Sequence, residues 1–227
     1  MTLIVWQENR LWYKDAVYQK WGLSHAHRMV VIKLADGSLL IHDPIELTPQ
    51  LQQDLRELGE IRCIVTASPS YHQYLSEWWL AYPLAQFFAT PTLIQKRTDL
   101  NFDAALSNQT PDAWKGDLYQ AAILGSNRPR KIVFCDPKSK TLLLSDHLLA
   151  AQAHLPIGQK LLVWAQGINQ ELRLPYAEKR DIKNMPQLRA SIQEIMTWPF
   201  DRIISTNGLL IETQAKSHFY QAFWWAF

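Results

Sequence analysis

The chain has 227 residues, 48% of them apolar and 19% charged, so it folds around a substantial core and is not a disordered polymer. A formal net charge of +2 gives no electrostatic footprint for nucleic acid, and no apolar run is long enough to span a bilayer. Two cysteines, Cys63 and Cys135, both fall in apolar strand-like runs and read as buried reduced thiols, not as a disulfide framework. The N-terminal stretch Met1 to Glu8 lacks a basic leader, which excludes a signal peptide and makes a cytoplasmic protein the expectation.

Residues 1 to 20 alternate weakly, with Asn9-Arg10 as a turn between two strands. Met29 to Leu34 and Ser38 to His42 form a clear hairpin about Asp36-Gly37, because glycine takes positive φ at no steric cost. His25 and His27 stand just upstream as H-x-H. Read as a loop with no third donor nearby, they are structural or solvent-facing and not a metal pair. Thr48-Pro49 opens a helix striped by Leu51, Leu55 and Leu58, and Gly59 stops it. Ile61 to Val65 is a short buried strand. Ser68-Pro69 then predicts a second helix, with Tyr71, Leu75, Trp78 and Tyr82 on one face. Gln86 to Thr90 reads as a strand, Pro91 as a turn, and residues 97 to 117 as a long loop.

The β pattern returns at Leu118 to Leu124, Lys131 to Cys135 and Thr141 to Leu144. The basic cluster Arg128, Arg130 and Lys131 reads as a solvated turn, since no helix start follows it. Asp146 begins a helix, residues 148 to 167 are apolar, and 168 to 184 are polar and irregular. Gln187 to Trp198 is helical, Arg202 to Ser205 a strand, and Thr213 caps a last helix carrying Ala215, Phe219, Phe223 and Ala226 on one face. The terminal Phe223-Trp-Trp-Ala-Phe227 is apolar on more than one face, which leaves a homodimer through this aromatic helix open.

Four segments carry a resemblance. Gly37 to Pro44 resembles the early strand of metallo-β-lactamase-like proteins. Residues 61 to 75 resemble their strand and metal-loop junction, where Thr-His-x-His-x-Asp-His stands; here those positions read Thr66, Ala67, Ser68, Pro69, Ser70, Tyr71, His72. Thr141 to Asp146 resembles the strand ending in the metal-bridging Asp, and Asp201 to Gly208 the late strand ending in Gly-His-Gly. Within that superfamily the chain resembles the domain of unknown function 4336 family. It does so through Asp36-Gly37, His42-Asp43-Pro44, Leu47-Thr48-Pro49, Glu77-Trp78, Tyr82-Pro83 and Phe102-Asp103.

The resemblance implies an α/β (α+β) fold, a four-layer αβ/βα sandwich of two mixed sheets with outer helices, as one domain over 1–227. It also implies a site that has lost most of its metal ligands. Ala67, Pro69 and Tyr71 replace two His and an Asp, and Ser126 or Asn127 falls where a third-segment His would lie. His72, Asp146 and Asn207 are the residual donors, with His147 and Tyr71 as helpers. Each has a plainer role: a polar helix start for His72, an N-cap for Asp146, turn chemistry for Asn207. The expectation is no bound metal or other cofactor, and a non-hydrolytic protein. A small molecule or protein partner would bind in a cleft lined by Tyr71, His72, Asp146, His147, Asn207 and Trp78 or Trp79. The alternative is a metal-dependent hydrolase with one Zn or other divalent ion.

Overall fold

The computed structural model describes residues 3–20, 23–127, 131–145 and 172–227. The first sheet holds seven strands in sequential order: β1 (Ile4–Gln7), β2 (Leu11–Lys20), β3 (Leu23–Lys33), β4 (Leu39–His42), β5 (Ile61–Thr66), β6 (Gln86–Ala89) and β7 (Ala104–Ala105). Strands β1 to β4 pair antiparallel and β4 to β7 parallel, so this sheet is mixed. The second sheet has the order β12-β11-β10-β9-β8, where β8 is Tyr119–Ile123, β9 Lys131–Asp136, β10 Thr141–Leu144, β11 Arg202–Ser205 and β12 Leu210–Ile211. Only β10 and β11 run parallel there.

Both faces of both sheets are covered, which is why the central strands read as continuous apolar runs and do not alternate. Between the sheets, Val30, Leu40, Cys63, Val65 and Phe88 meet Ala122, Ile132, Phe134, Leu143 and Ile204. Outside the first sheet, Met29, Val31, Ile41 and Ile64 pack on helices α1 (Pro49–Leu58) and α2 (Leu75–Ala81) through Leu51, Leu55, Leu75 and Trp78. Outside the second, Val133, Leu142 and Ile203 pack on α5 (Met185–Thr197) and α6 (Ala215–Phe223) through Leu188, Ile192, Phe219 and Phe223. The layers are helix, sheet, sheet, helix, as expected. Two short helices follow: α3 (Pro91–Lys96), whose Leu93 joins the outer cluster of the first sheet, and α4 (Tyr176–Arg180).

Local chemistry sets the ends of these elements. Thr48 Oγ1 accepts from Leu51 N at 3.2 Å and Pro49 follows at the first helical position. At the other end of α1, a Cβ on Gly59 would lie 2.7 Å from the Gly37 carbonyl oxygen, so only glycine lets the helix close onto the β3–β4 turn. Trp78 is fully buried, and its single N–H donates to Ile45 O at 2.7 Å.

Four expectations need correction. β3 begins at Leu23, so His25 and His27 belong to a strand and not to a loop. The Ser68-Pro69 pair opens a turn, closed by Ser70 N donating to Ser68 Oγ at 3.1 Å; α2 starts only at Leu75. Pro91 starts the six-residue helix α3. The last helix begins at Ala215 after Gln214 in the left-handed region, without a side-chain cap from Thr213.

One buried ion pair locks the two sheets at the end remote from the strand termini discussed below. Arg10, in the β1–β2 turn, donates through Nε and Nη2 to Asp136 Oδ1 at 3.0 and 2.7 Å, and Ser139 N donates to Asp136 Oδ2 at 3.0 Å. Asp136 is fully buried, so removing the cation leaves an uncompensated charge. Arg10→Met is expected to cost about 3–5 kcal/mol in urea unfolding, and adding Asp136→Asn should recover part of it. A loss within about 0.5 kcal/mol would show the pair to be dispensable.

Candidate functional site

β4 ends at His42, and Asp43 turns its backbone into the left-handed region, φ +50°. Asp tolerates that conformation better than most residues. Its own N–H donates to Val65 O at 2.8 Å, which fixes the turn against β5. The side chain thereby points into the gap between the sheets, and three donors converge on it. Ala67 N donates to Oδ1 at 2.9 Å, while Ser145 Oγ and Thr206 Oγ1 donate to Oδ2 at 2.5 and 2.7 Å. Ala67 follows β5, Ser145 follows β10 and Thr206 follows β11, so one fully buried carboxylate gathers four strand ends from both sheets. Ser205 Oγ donating to Ser145 O at 2.7 Å and Thr206 N donating to Leu144 O at 2.8 Å complete the junction.

Imidazoles flank the carboxylate on both faces of the first sheet. His27 Nε2 donates to Asp43 O at 3.1 Å, so Nδ1 is the bare nitrogen and has no hydrogen-bond partner. The His27 ring stacks on Tyr71 at 4.4 Å, and Tyr18 stands edge-on to both. His42 lies in the inter-sheet core, edge-on to Phe134 at 5.3 Å, with Nδ1 3.5 Å from Asp43 Oδ2 and neither nitrogen in a hydrogen bond. Burial lowers the pKa of both histidines below the usual 6.5, against the pull of Asp43. The thiols of Cys63 and Cys135 are pushed up to about 12 by burial, which removes them as nucleophiles near neutral pH.

The expected site residues divide. Tyr71 is buried in the aromatic stack over His27. His72 is half-buried and faces cations: Lys96 Nζ lies 2.8 Å from its Nε2 and Arg97 Nη1 3.4 Å from its Nδ1. Asn207 is half-buried in the turn that joins β11 to β12, next to Thr206. Asp146 and His147 lie outside the described residues, as do Arg128 and Arg130. Trp78 is core beneath α2 and lines no cleft, and Trp79 packs on the same outer cluster. Asn127 N donates to Asp181 O at 3.1 Å within a loop pairing. Asp43, Ser145 and Thr206 escaped the site reading. Their one local signal is the His-Asp-Pro at a strand end, where a carboxylate rarely sits without partners.

The described residues do not fit a metal centre of the kind the fold implies. Ala67 and Pro69 carry no side-chain donor. Asp43 already accepts from three protein donors, and His72 is bordered by two positive charges that disfavour a further cation. Among the described residues no group of three His, Cys, Asp or Glu side chains is placed to hold a metal ion.

Two mixed sheets face to face, helices outside and strand ends converging on one edge define the metallo-β-lactamase-like fold. The DIM-1 metallo-β-lactamase superposes with a TM-score of 0.65 over 99% of this chain and 97% of that one, at 15% identity. A metallo-β-lactamase from Pontibacter korlensis gives 0.61 over 97% of each chain at 10% identity. The Flv1 flavodiiron core from Synechocystis sp. PCC6803 gives 0.61 at 10% identity, over 99% of this chain and 61% of that one. At such identities the likeness is one of fold alone. The family model described as domain of unknown function (DUF4336) matches residues 8–172, and the chain belongs to that family. No curated protein sequence matches it.

The buried neutral histidines make stability depend on pH in a stated direction. Below about pH 6.5 the unfolded chain binds protons at His27 and His42 that the folded chain refuses. Their contribution is therefore intact above pH 6.5 and lost as pH falls toward their lowered folded values, at up to about 1.4 kcal/mol per pH unit for each. Urea midpoints measured at neutral and mildly acidic pH should show this slope. It should be shallower in His27→Phe, and equal slopes in the two proteins would refute the assignment.

Proposed function

We propose that this chain is a non-hydrolytic protein of metallo-β-lactamase-like fold that binds a small molecule or a protein partner at the strand-end edge. The observation that carries the reading is the Asp43 junction. Ser145 and Thr206 hydroxyls and the Ala67 amide hold the carboxylate at the strand ends, so those ends are tied to one another by protein groups. The residues at 67, 69 and 71 support it further, because alanine, proline and a stacked tyrosine offer no first shell to a divalent ion. Two buried free thiols suit the cytoplasmic location that this reading includes. No helix among the described residues is long and apolar enough to cross a membrane. The chain acts as one domain over 1–227.

Metal analysis of protein purified without chelator tests the reading. The expected content is well below about one divalent ion per chain, with no hydrolysis of β-lactam or phosphodiester probes when Zn or Mn is added. About one tightly held ion per chain, abolished by His72→Ala, would establish the alternative, a hydrolase with a single residual site at His72, Asp146 and Asn207.

The C-terminal aromatic surface supports a second copy as partner. Trp224 is 65% exposed, and Phe227 and Tyr220, whose rings lie 5.6 Å apart, are exposed beside it. Light scattering should report a dimer that Trp224→Ala weakens by about tenfold or more, as loss of a central aromatic anchor does. A monomer at all concentrations would remove the interface.

A further inference from the structure

His42 closes β4 with its ring buried in the inter-sheet core, and neither ring nitrogen has a hydrogen-bond partner. A neutral imidazole carries one N–H, so this one holds an unmet donor in a dry place, where polar groups are ordinarily paired. Nδ1 lies 3.5 Å from Asp43 Oδ2, just beyond hydrogen-bond length. That oxygen is already engaged by the Ser145 and Thr206 hydroxyls, at 2.5 and 2.7 Å. The Thr206 hydroxyl has a second acceptor within reach, Leu144 O at 3.5 Å.

The groups around the ring decide what a proton on it does. β4 itself contributes Asp43, the one anion within ion-pair distance of His42 among the described residues. β3 contributes Val30, in register with His42, and His27, bonded to the Asp43 carbonyl; charge on one imidazole opposes charge on the other. Arg28, also on β3, is engaged by Asp15 and Leu209 O. β5 and β9 present Val65 and Phe134, which are apolar. Burial opposes a charge on His42, while Asp43 and the residue's own carbonyl favour it, so protonation falls below the ordinary histidine value of 6.5. A carboxylate oxygen offers two lone pairs, and on Asp43 Oδ2 two hydroxyls occupy them. A third, charged donor therefore displaces one. Thr206 is the one to leave, because its bond is the longer and its second acceptor is at hand.

We propose that His42 and Asp43 form a proton-operated latch on the β11–β12 turn. With His42 neutral, the carboxylate holds the Thr206 hydroxyl. A proton taken from solvent makes both ring nitrogens donors, Nδ1–H closes onto Asp43 Oδ2, and the Thr206 hydroxyl turns to Leu144 O. Ser145 and Ala67 keep their bonds to the carboxylate. The turn that carries Thr206 and Asn207 keeps its backbone ties to Leu144 and Arg28 but loses its link to β4. Acid thus loosens one side of the strand-end edge while the sandwich stays folded. The latch stands whether or not a ligand uses that edge.

NMR of the full-length protein tests the latch, from neutral pH down to the onset of acid unfolding. The His42 ring signal reports its protonation. Hydrogen exchange at the Thr206 and Gly208 amides, corrected for the intrinsic effect of pH on free amides, reports the turn. Protection at these two amides should fall by about tenfold as His42 titrates, the order of one charge-assisted hydrogen bond. Amides within β9 and β10 should keep theirs. In His42→Phe, which retains a ring but takes no proton, protection of the turn should not respond to pH. In Thr206→Val the His42 ring should still titrate, with the turn already loose at neutral pH and no looser in acid. The native protein alone decides the matter if either variant fails to fold. A His42 ring that stays neutral until the whole chain unfolds overturns the latch, as does a turn that loses protection only together with β9. A pH response that survives in either variant overturns it as well.

Discussion

The Asp43 carboxylate is the interaction on which the strand-end edge depends. It is fully buried, negatively charged in its hydrogen-bonding role, and placed by a backbone at φ +50° directly before Pro44. A residue before proline is ordinarily extended, so this conformation costs on the order of 1–3 kcal/mol and persists only where its surroundings over-determine it. They do so here. The Asp43 N–H is anchored on Val65, and three donors from three other strand ends fix the carboxylate. Charge-assisted bonds of this kind are about twice as strong as neutral ones, and removal of any donor leaves charge underpaired in a dry place. The four ends therefore hold one another, and none can shift without breaking the set.

The remote end is locked by opposite chemistry. There a buried guanidinium, Arg10, reaches across to Asp136 in the other sheet. A second arginine, Arg28, binds Asp15 through two bonds at 2.6 and 2.9 Å and reaches Leu209 O at 3.1 Å, while its own N–H donates to Thr206 O at 2.7 Å. Through Arg28 the β11–β12 turn, which carries Thr206 and Asn207, is tied to β3. Hydrophobic packing joins the sheets along their length, but these polar ties fix their register at each end, and apolar contact alone is non-directional.

Much of the architecture was legible locally. The Asp36-Gly37 turn, the Thr48-Pro49 cap and the apolar runs of β5, β9 and β11 each follow from residues a few positions apart. The edge was not. The apolar run of β3 starts only at Met29, while the half that holds His25 and His27 is polar and pairs with β2, with Tyr71 stacked on His27. Ser68-Pro69 suggests regular helix through Tyr71, whereas the Tyr71 ring stacks on His27 and the helix starts only at Leu75. The Asp43 junction joins residues 102 and 163 positions apart, a distance no periodicity reports. The resemblance points to the ligand positions 146 and 207. The hydroxyls that close the junction stand one residue earlier, at Ser145 and Thr206.

The edge is consequently divided into two zones of unlike character. Beneath the turn after β5, Tyr71, Tyr18, His25 and His27 stack into an aromatic layer, with Tyr18 on His25 at 5.2 Å and Tyr71 on His27 at 4.4 Å. The His27 ring in that layer is desolvated, which makes it a poor host for charge. Outside that layer stand His72, Lys96 and Arg97, half-buried or exposed. The neighbouring residues Tyr71 and His72 thus face opposite environments, because the turn that carries them sends one ring inward and leaves the other on the surface. The aromatic layer thereby holds the backbone of that turn in position.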